Sequence, residues 1–465
     1  MDTPEVSSLD FSSIALDPAL LQNIASLGYS KMTEIQAQSL PLILEGRDLL
    51  AQAKTGSGKT AAFAIGLLNK LDVSDYRTQA MVITPTRELA DQVTLEIRRL
   101  ARAIPNTKIL TLCGGKPMGP QLASLQRNPH IVIGTPGRLL KLLEKGALNT
   151  AHVKTLVLDE ADRMLDLGFH DDIIKVIKRT PPNRQTLLFS ATYPDLIQKI
   201  SKSVQNDPAQ VRVQALHDKS VIRQIFYGVN DENRIEKLIA ALNHHKPDSV
   251  LVFCTTRLQC QSLVDDMQDH GYSALALHGE LDQFDRDEAL VQFANKSVRV
   301  LIATDVAARG LDIKDLAAVV NYELTPDAEI HVHRIGRTGR AGKEGLAISL
   351  VSQGDAPRLA AIEEFTSSEI TVDMNGPPKT DNAAPLKPSM STLFIHAGRK
   401  NKIRPGDILG ALTADKYLPA DKIGKIDIFD SYCYVAVQQG IAKQALKILM
   451  NGNIKGRKFR ARKLG

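Results

Sequence analysis

Ala53-Lys54-Thr55-Gly56-Ser57-Gly58-Lys59-Thr60 stands between the apolar run Leu49-Leu50-Ala51 and a helix-forming segment that starts at Ala61. A glycine-rich loop that leaves a buried strand and enters a helix turns successive backbone N–H groups toward one point, and the helix N-terminus adds its dipole. That arrangement cradles nucleotide phosphates. Thr55, Gly56, Ser57 and Gly58 form the cradle, with Ala53 where such Walker A loops usually begin on Gly. Lys59 would bridge the β- and γ-phosphates, and the Thr60 hydroxyl would ligate Mg²⁺. A plain glycine turn with a solvent-facing lysine is the bland alternative, and the strand–loop–helix context speaks against it.

Outward from this loop, short apolar runs recur. Met81-Val82-Ile83, Ile131-Val132-Ile133, Leu156-Val157-Leu158 and Leu187-Leu188-Phe189 follow in the first half. Val250–Phe253, Ala274–Leu277, Val300–Ala303, Ala318–Val320 and Ala347–Val351 follow in the second. Runs without polar alternation read as parallel strands buried on both faces, with crossover helices between them. The expected fold is α/β: two tandem parallel-sheet domains, over 1–206 and 217–372, with a polar hinge at Gln205–Asp218. Residues 373–390 carry Pro377, Pro378, Pro385 and Pro388 and read as a linker. Residues 391–465 read β-α-β-β-α-β, a ferredoxin-like α+β domain.

Two further clusters suit phosphate chemistry. Asp159-Glu160-Ala161-Asp162 follows the strand ending at Leu158. There Asp159 can hold Mg²⁺ and Glu160 can orient and polarise the attacking water. Alone, such a cluster is usually a solvated turn or helix cap; beside Lys59 it reads as a Walker B element. His333-Arg334-Ile335-Gly336-Arg337-Thr338-Gly339-Arg340 places Arg337 and Arg340 where they can neutralise charge developing on a γ-phosphate. An RNA-phosphate patch or a solvated helix face is the alternative there.

Composition narrows the classes. Of 465 residues, 43% are hydrophobic and 24% charged, so the chain can bury real cores. The net charge of +6 is unevenly spread: residues 391–465 hold 15 Lys/Arg against 5 Asp/Glu, a local +10 that suggests a polyanion partner. No run of 18 apolar residues exists, so no membrane helix is expected, and the polar start MDTPEVSSLD does not read as a signal peptide. Cys113, Cys254, Cys260 and Cys433 show no C-x-x-C pairing, which implies reduced thiols, a cytoplasmic protein and no structural zinc.

These motifs together resemble a DEAD-box RNA helicase, in order along the chain. Motif I is Ala53–Thr60, Ia Pro85–Leu89, Ib Thr135–Arg138, II Asp159–Asp162 and III Ser190-Ala191-Thr192; motif V runs from Ala303 to Asp312, and VI is His333–Arg340. The resemblance implies two RecA-like domains, ATP and Mg²⁺ as ligands, and RNA-dependent ATP hydrolysis. It implies that Gln36 reads the adenine edge, that Phe11 stacks on the ring, and that Gly310 and Asp312 line the nucleotide, Asp312 at the ribose. Taken alone, Phe11 reads as a core anchor and Gln36 as a surface polar residue. Asp162, Ser190, Thr192, Asp305 and His333 would couple the two ligand sites. Arg87, Gly115, Thr135 and Arg138 on the first domain, and Arg257, Gly279, Arg286 and Thr304 on the second, would contact RNA; for any one arginine a surface ion pair is the rival. Met32 and His331 depart from the usual Pro and Tyr of the family.

In the tail, Leu393-Phe394-Ile395 and Ser431–Val437 fit the two signatures of an RNA-recognition motif (RRM). Tyr432 and Tyr434 are two apart and share one sheet face. With Phe394 they are a candidate stacking platform for bases, flanked by Lys400, Arg404, Lys458 and Arg460 among other cations. Packing under another element is the rival. Helicase core plus this tail is similar to the DbpA subfamily of bacterial DEAD-box proteins. The likeness lies in Arg404–Leu412 and Ile423–Ile426. It implies binding to a 23S ribosomal RNA hairpin in pre-50S particles and remodelling of it during large-subunit assembly; a monomer is expected. A general RNA clamp or chaperone, or an mRNA-remodelling protein, is the alternative.

Overall fold

The computed structural model describes residues 10–53, 56–193, 195–213, 222–308, 316–339, 344–378, 385–414 and 418–465. The first sheet contains β1 (Leu49–Gln52), β2 (Ala80–Ile83), β3 (Ile109–Leu112), β4 (Ile131–Gly134), β5 (Thr155–Leu158), β6 (Gln185–Ser190) and β7 (Ala209–Arg212). They lie parallel in the order β3-β4-β2-β5-β6-β1-β7. The central strands β2, β4, β5 and β6 are buried at every position. Helices explain this, because they cover both faces: Phe63, Ile65 and Leu40 pack with one set of strand residues, Leu139, Leu142 and Ile173 with the other.

The second sheet contains β8 (Ile222–Gly228), β9 (Val250–Cys254), β10 (Ala274–Leu277), β11 (Val300–Thr304), β12 (Ala318–Asn321), β13 (Gly345–Val351) and β14 (Val372–Asp373). Its order is β10-β11-β9-β12-β13-β8-β14. Counted from its own first strand, this is the order of the first sheet again. In both, the crossover reverses direction beside the first strand, the place where open α/β sheets hold ligands at strand C-termini. Helices start there with side-chain caps: the Thr86 hydroxyl accepts from Leu89 N–H, and Thr256 from Gln259 N–H.

Two expectations need correction. Residues 209–212, placed in the hinge, are strand β7 of the first sheet, which therefore runs past the boundary at 206. Val372–Asp373, at the start of the expected linker, pairs with β8. Both strands are at sheet edges. An edge strand has one neighbour and needs few buried residues, so β7 buries only Val211 fully and leaves no apolar run to read.

The third sheet is antiparallel: β15 (Met390–Ile395), β16 (Ile423–Ile428), β17 (Cys433–Gln438) and β18 (Ala461–Lys463), in the order β16-β17-β15-β18. One face carries Leu393, Ile395, Val435 and Val437 against the helices Pro405–Thr413 and Ala442–Asn451. The opposite face carries Phe394 and Tyr434 in register, with Arg462 beside Phe394. That face is not open. It packs on the helix Gln283–Ala294 of the second parallel-sheet domain, where Phe394, Tyr434 and Leu464 cluster with Val291 and Phe284. Polar contacts frame the seam: Arg462 Nη2 donates to Glu288 Oε2 at 2.9 Å, and Asn295 Nδ2 donates to Thr392 Oγ1 at 3.2 Å.

Candidate nucleotide and RNA site

The phosphate loop leaves β1 at Gln52 and enters the helix Lys59–Asn69. Gly56 and Gly58 have φ of 85° and 100°, backbone that a Cβ strains. At Gly58 space is also closed, since a Cβ there would lie 2.7 Å from Gln36 Nε2 and 2.9 Å from Thr33 Oγ1. Lys59 is buried and donates to Ala53 O at 2.5 Å, so the ammonium folds back over its own loop. The Ser57 hydroxyl is buried without a hydrogen-bond partner. An orphaned hydroxyl on a glycine turn at a helix N-terminus fits an anion such as phosphate.

Asp159 and Glu160 follow β5, which β6 separates from β1 in the sheet. Burial pushes the Asp159 carboxyl up to about 7, with the Glu160 charge adding and Lys59 opposing. Two crowded carboxylates and the Thr60 hydroxyl are hard oxygen donors, so the set suits Mg²⁺ bound with phosphate. Glu160 is a non-glycine residue in left-handed conformation, with φ 51° and ψ 53°. Arg163 Nη1 donates to its Oε2 at 2.6 Å, both side chains being 6% exposed. Asp162 Oδ2 accepts from Ala191 N–H at 3.1 Å, Thr192 N–H at 2.9 Å and Thr192 Oγ1 at 3.0 Å. The acidic cluster is thereby tied to the end of β6, where the Ser190 hydroxyl is buried without a partner.

Gln36 and Phe11 both have partners within the first domain. The Gln36 carboxamide accepts from Thr33 N–H at 2.9 Å and donates to Gly58 O at 3.2 Å, bracing the loop from behind. Phe11 is 2% exposed and meets Tyr29 edge-on at 6.3 Å, so here it is a core residue rather than an open stacking surface. Thr55, Gly310, Asp312 and Arg340 lie outside the described residues.

On the same sheet, Arg87 lies over the turn at Gly115, where a Cβ would sit 1.8 Å from its Nη1. Arg138 Nη2 donates to Lys116 O at 3.0 Å, while its Nη1 is buried without a partner. Thr135 caps the helix that carries Arg138. The four expected RNA contacts of this domain thus share one loop cluster. On the second sheet, Thr304 ends β11, Arg286 Nη2 donates to Ala307 O at 2.7 Å, and Arg257 is ion-paired with Glu280 next to Gly279.

Arg337 is 6% exposed just past the helix Ala328–Ile335 that bears His333. Sequence reasoning gave Arg334 no role. The structure makes it the anchor of this segment: it grips Asp305 twice, at 2.7 and 2.8 Å, and donates to Asn321 Oδ1 at 3.1 Å and Glu323 O at 2.8 Å. The residue type was visible; its partners come from segments at the ends of β11 and β12 and were not.

His331 is fully buried on that helix, stacked on Phe226 at 6.1 Å. Burial, with the Arg334 charge, pushes its pKa from 6.5 down to about 4. The unfolded chain therefore binds the extra proton first. Stability from neutral His331 is present above about pH 6.5 and is lost as pH falls toward 4. Between pH 7 and 5 the parent is expected to lose about 2 kcal/mol of unfolding free energy that a folded His331→Tyr protein keeps. Denaturant unfolding at both pH values checks this; identical pH slopes would refute it.

In the third domain the expected platform is corrected. Phe394 and Tyr434 are 2% and 0% exposed, and Tyr432 Oη reaches Asp287 Oδ2 at 3.4 Å across the seam. A same-face aromatic set serves an interface as well as it serves a base stack, and here the helix Gln283–Ala294 supplies the interface. Lys400, Arg404, Lys458 and Arg460 are exposed. Their loops are tied together, with Lys455 Nζ donating to Lys402 O at 2.9 Å and His396 N–H to Arg460 O at 2.9 Å. Among the described residues no His/Cys/Asp/Glu group could hold a metal by itself, all four cysteines are free and buried, and no helix is long and apolar enough to cross a membrane.

Comparison with known proteins agrees with this geometry. Residues 33–200 match the DEAD/DEAH box helicase family, 233–342 the helicase conserved C-terminal domain, and 392–463 the DbpA RNA binding domain. The chain is 53% identical to the ATP-dependent RNA helicase DbpA of Escherichia coli, over 97% of this chain and 98% of that protein. It is 36% identical to the protein of the same name from Bacillus subtilis, over 97% and 99%. Among solved structures, S. cerevisiae Dbp5 bound to RNA and ADP BeF3 matches with a TM-score of 0.72 and 30% identity, over 79% of this chain and 95% of that one.

Proposed function

The chain belongs to the DEAD-box ATP-dependent RNA helicases of the DbpA type, and from that premise we propose which residues act and on which RNA. Backbone N–H groups of Gly56–Thr60, the Ser57 hydroxyl and Lys59 hold the ATP phosphates. Thr60 and Asp159 would hold Mg²⁺, which supplies charge neutralisation at the β- and γ-phosphates when bound. Glu160 orients the attacking water. Arg337, with Arg340, stabilises charge on the γ-phosphate in the transition state. Arg87, Gly115, Thr135 and Arg138 grip RNA through its backbone, as do Arg257, Gly279, Arg286 and Thr304 on the second sheet. Such contacts need no base sequence. Asp162, Ser190 and Thr192, with Asp305 and His333, couple RNA binding to turnover, which is therefore RNA-dependent.

The RNA we propose is a 23S ribosomal RNA hairpin, met as a monomer in the cytoplasm during large-subunit assembly. The observation that supports a dedicated target is the pairing of a match to the DbpA RNA binding domain with an exposed cationic flank at Lys400, Arg404, Lys458 and Arg460. Because the aromatic face is covered, this flank replaces the aromatic platform as the recognition surface. A full-length protein with Lys458→Gln and Arg460→Gln is expected to need about 10-fold more ribosomal RNA fragment for half-maximal ATPase. Its logarithmic salt slope is expected to flatten by about 2. Half-maximal activation of the parent by unrelated RNA at the same concentration as by the ribosomal fragment would sink the target.

A further inference from the structure

Glu160 sits in left-handed backbone, which costs any residue with a Cβ, and its carboxylate is held as well. Arg163, one helical turn on, donates Nη1 to Glu160 Oε2 at 2.6 Å, with both side chains buried. The Arg163 backbone N–H donates to Asp162 Oδ1 at 3.0 Å. The other oxygen of Asp162 takes all three donors from Ala191 and Thr192. A continuous chain of contacts runs from the end of β6 through Asp162 and Arg163 to the carboxylate of Glu160. In a buried site a guanidinium also offsets the crowding of Glu160 against Asp159, and its planar fork fixes carboxylate direction in a way a point charge does not.

We propose that Arg163 is a positioning residue for ATP hydrolysis. By gripping Oε2 it turns the Glu160 carboxylate so that Oε1 accepts from the attacking water, and it transmits the position of the Ser190–Thr192 segment to that carboxylate. The water oxygen bonds to the γ-phosphorus as the bond to the β,γ-bridging oxygen breaks, and the water proton passes through Oε1 to the released phosphate. This rests on the reading of Glu160 as the water-orienting group.

The test is single-turnover and steady-state ATP hydrolysis at saturating RNA for full-length Arg163→Gln and Arg163→Lys, each also in a Glu160→Gln background. Arg163→Gln is expected to lower kcat about 10–100-fold with the KM for ATP within about 3-fold, because only orientation is lost. Arg163→Lys, which keeps charge without the fork, should recover part of that loss. In the Glu160→Gln background, adding Arg163→Gln should slow turnover by no more than about 2-fold, since both act through one carboxylate. Unchanged kcat in Arg163→Lys and Arg163→Gln overturns the proposal. So does an equal loss in both backgrounds, or a rise in KM alone. If Arg163→Gln does not fold, Arg163→Lys at parental kcat overturns it by itself. A Glu160→Gln protein at parental turnover would instead reject the underlying reading of Glu160.

Discussion

A Glu160→Gln protein is expected to bind ATP nearly as well as the parent and to hydrolyse it about 10²–10⁴-fold more slowly. Glutamine keeps the size of the side chain, and the left-handed backbone at φ 51° is set by the strand end and the helix that follows it. What disappears is the charge that polarises water. Its removal also relieves Asp159, whose carboxyl the Glu160 charge helps to push up, so phosphate and cation binding should not suffer. The variant should then dwell on RNA with ATP bound, because release follows hydrolysis. Fluorescent-nucleotide titration and phosphate release measure the two arms. Turnover within a few-fold of the parent would remove Glu160 from the chemistry.

Tyr434→Ala is expected to destabilise the chain by about 3–5 kcal/mol, the range for deleting a large aromatic ring from a core. Tyr434 is 0% exposed, opposite Phe394 in register, with ring centroids at 5.4 Å from Phe394, 5.6 Å from Phe429 and 5.6 Å from Tyr432. Its loss would open a void at the seam with the helix Gln283–Ala294. Tyr434→Phe separates packing from polarity. The Tyr434 hydroxyl is buried without a partner, so deleting it should leave stability unchanged or raised. Chemical denaturation of the full chain reads both. If Tyr434→Ala instead leaves stability intact and weakens RNA binding by about 1–3 kcal/mol, the ring serves as a base platform after all.

The local motifs were legible because their chemistry is local. Wrapping a phosphate takes consecutive backbone N–H groups and glycines that reach φ of 85° and 100°, so Gly56-Ser57-Gly58-Lys59-Thr60 carries its function within a few residues. Buried parallel strands announce themselves likewise, since burial on both faces demands uninterrupted apolar runs such as Leu156-Val157-Leu158. The two sheets and the acidic and arginine clusters followed from these. The edge strand β7 did not, because with a single neighbour it buries only Val211; β3 (Ile109–Leu112), also at an edge, is apolar but was not read.

What the sequence by itself determined was the kind of chemistry and the segments that hold it: a phosphate loop after a strand, an acidic turn, an arginine segment and a cationic tail of alternating aromatic strands. What the tertiary structure alone decided was which neighbours those side chains meet. Phe394, Tyr432 and Tyr434 have the alternation of an open stacking face, and only the docking of Phe284 and Val291, from a helix far away in the chain, closes it. Gln36 has the chemistry to read a base, and only the fold turns its carboxamide onto Gly58 and Thr33. Arg334 becomes an anchor through Asp305, just past β11, and Asn321 on β12. The physical reason is common to all three. Periodicity fixes which face a residue occupies, whereas burial and hydrogen-bond partners depend on what long-range packing brings to that face.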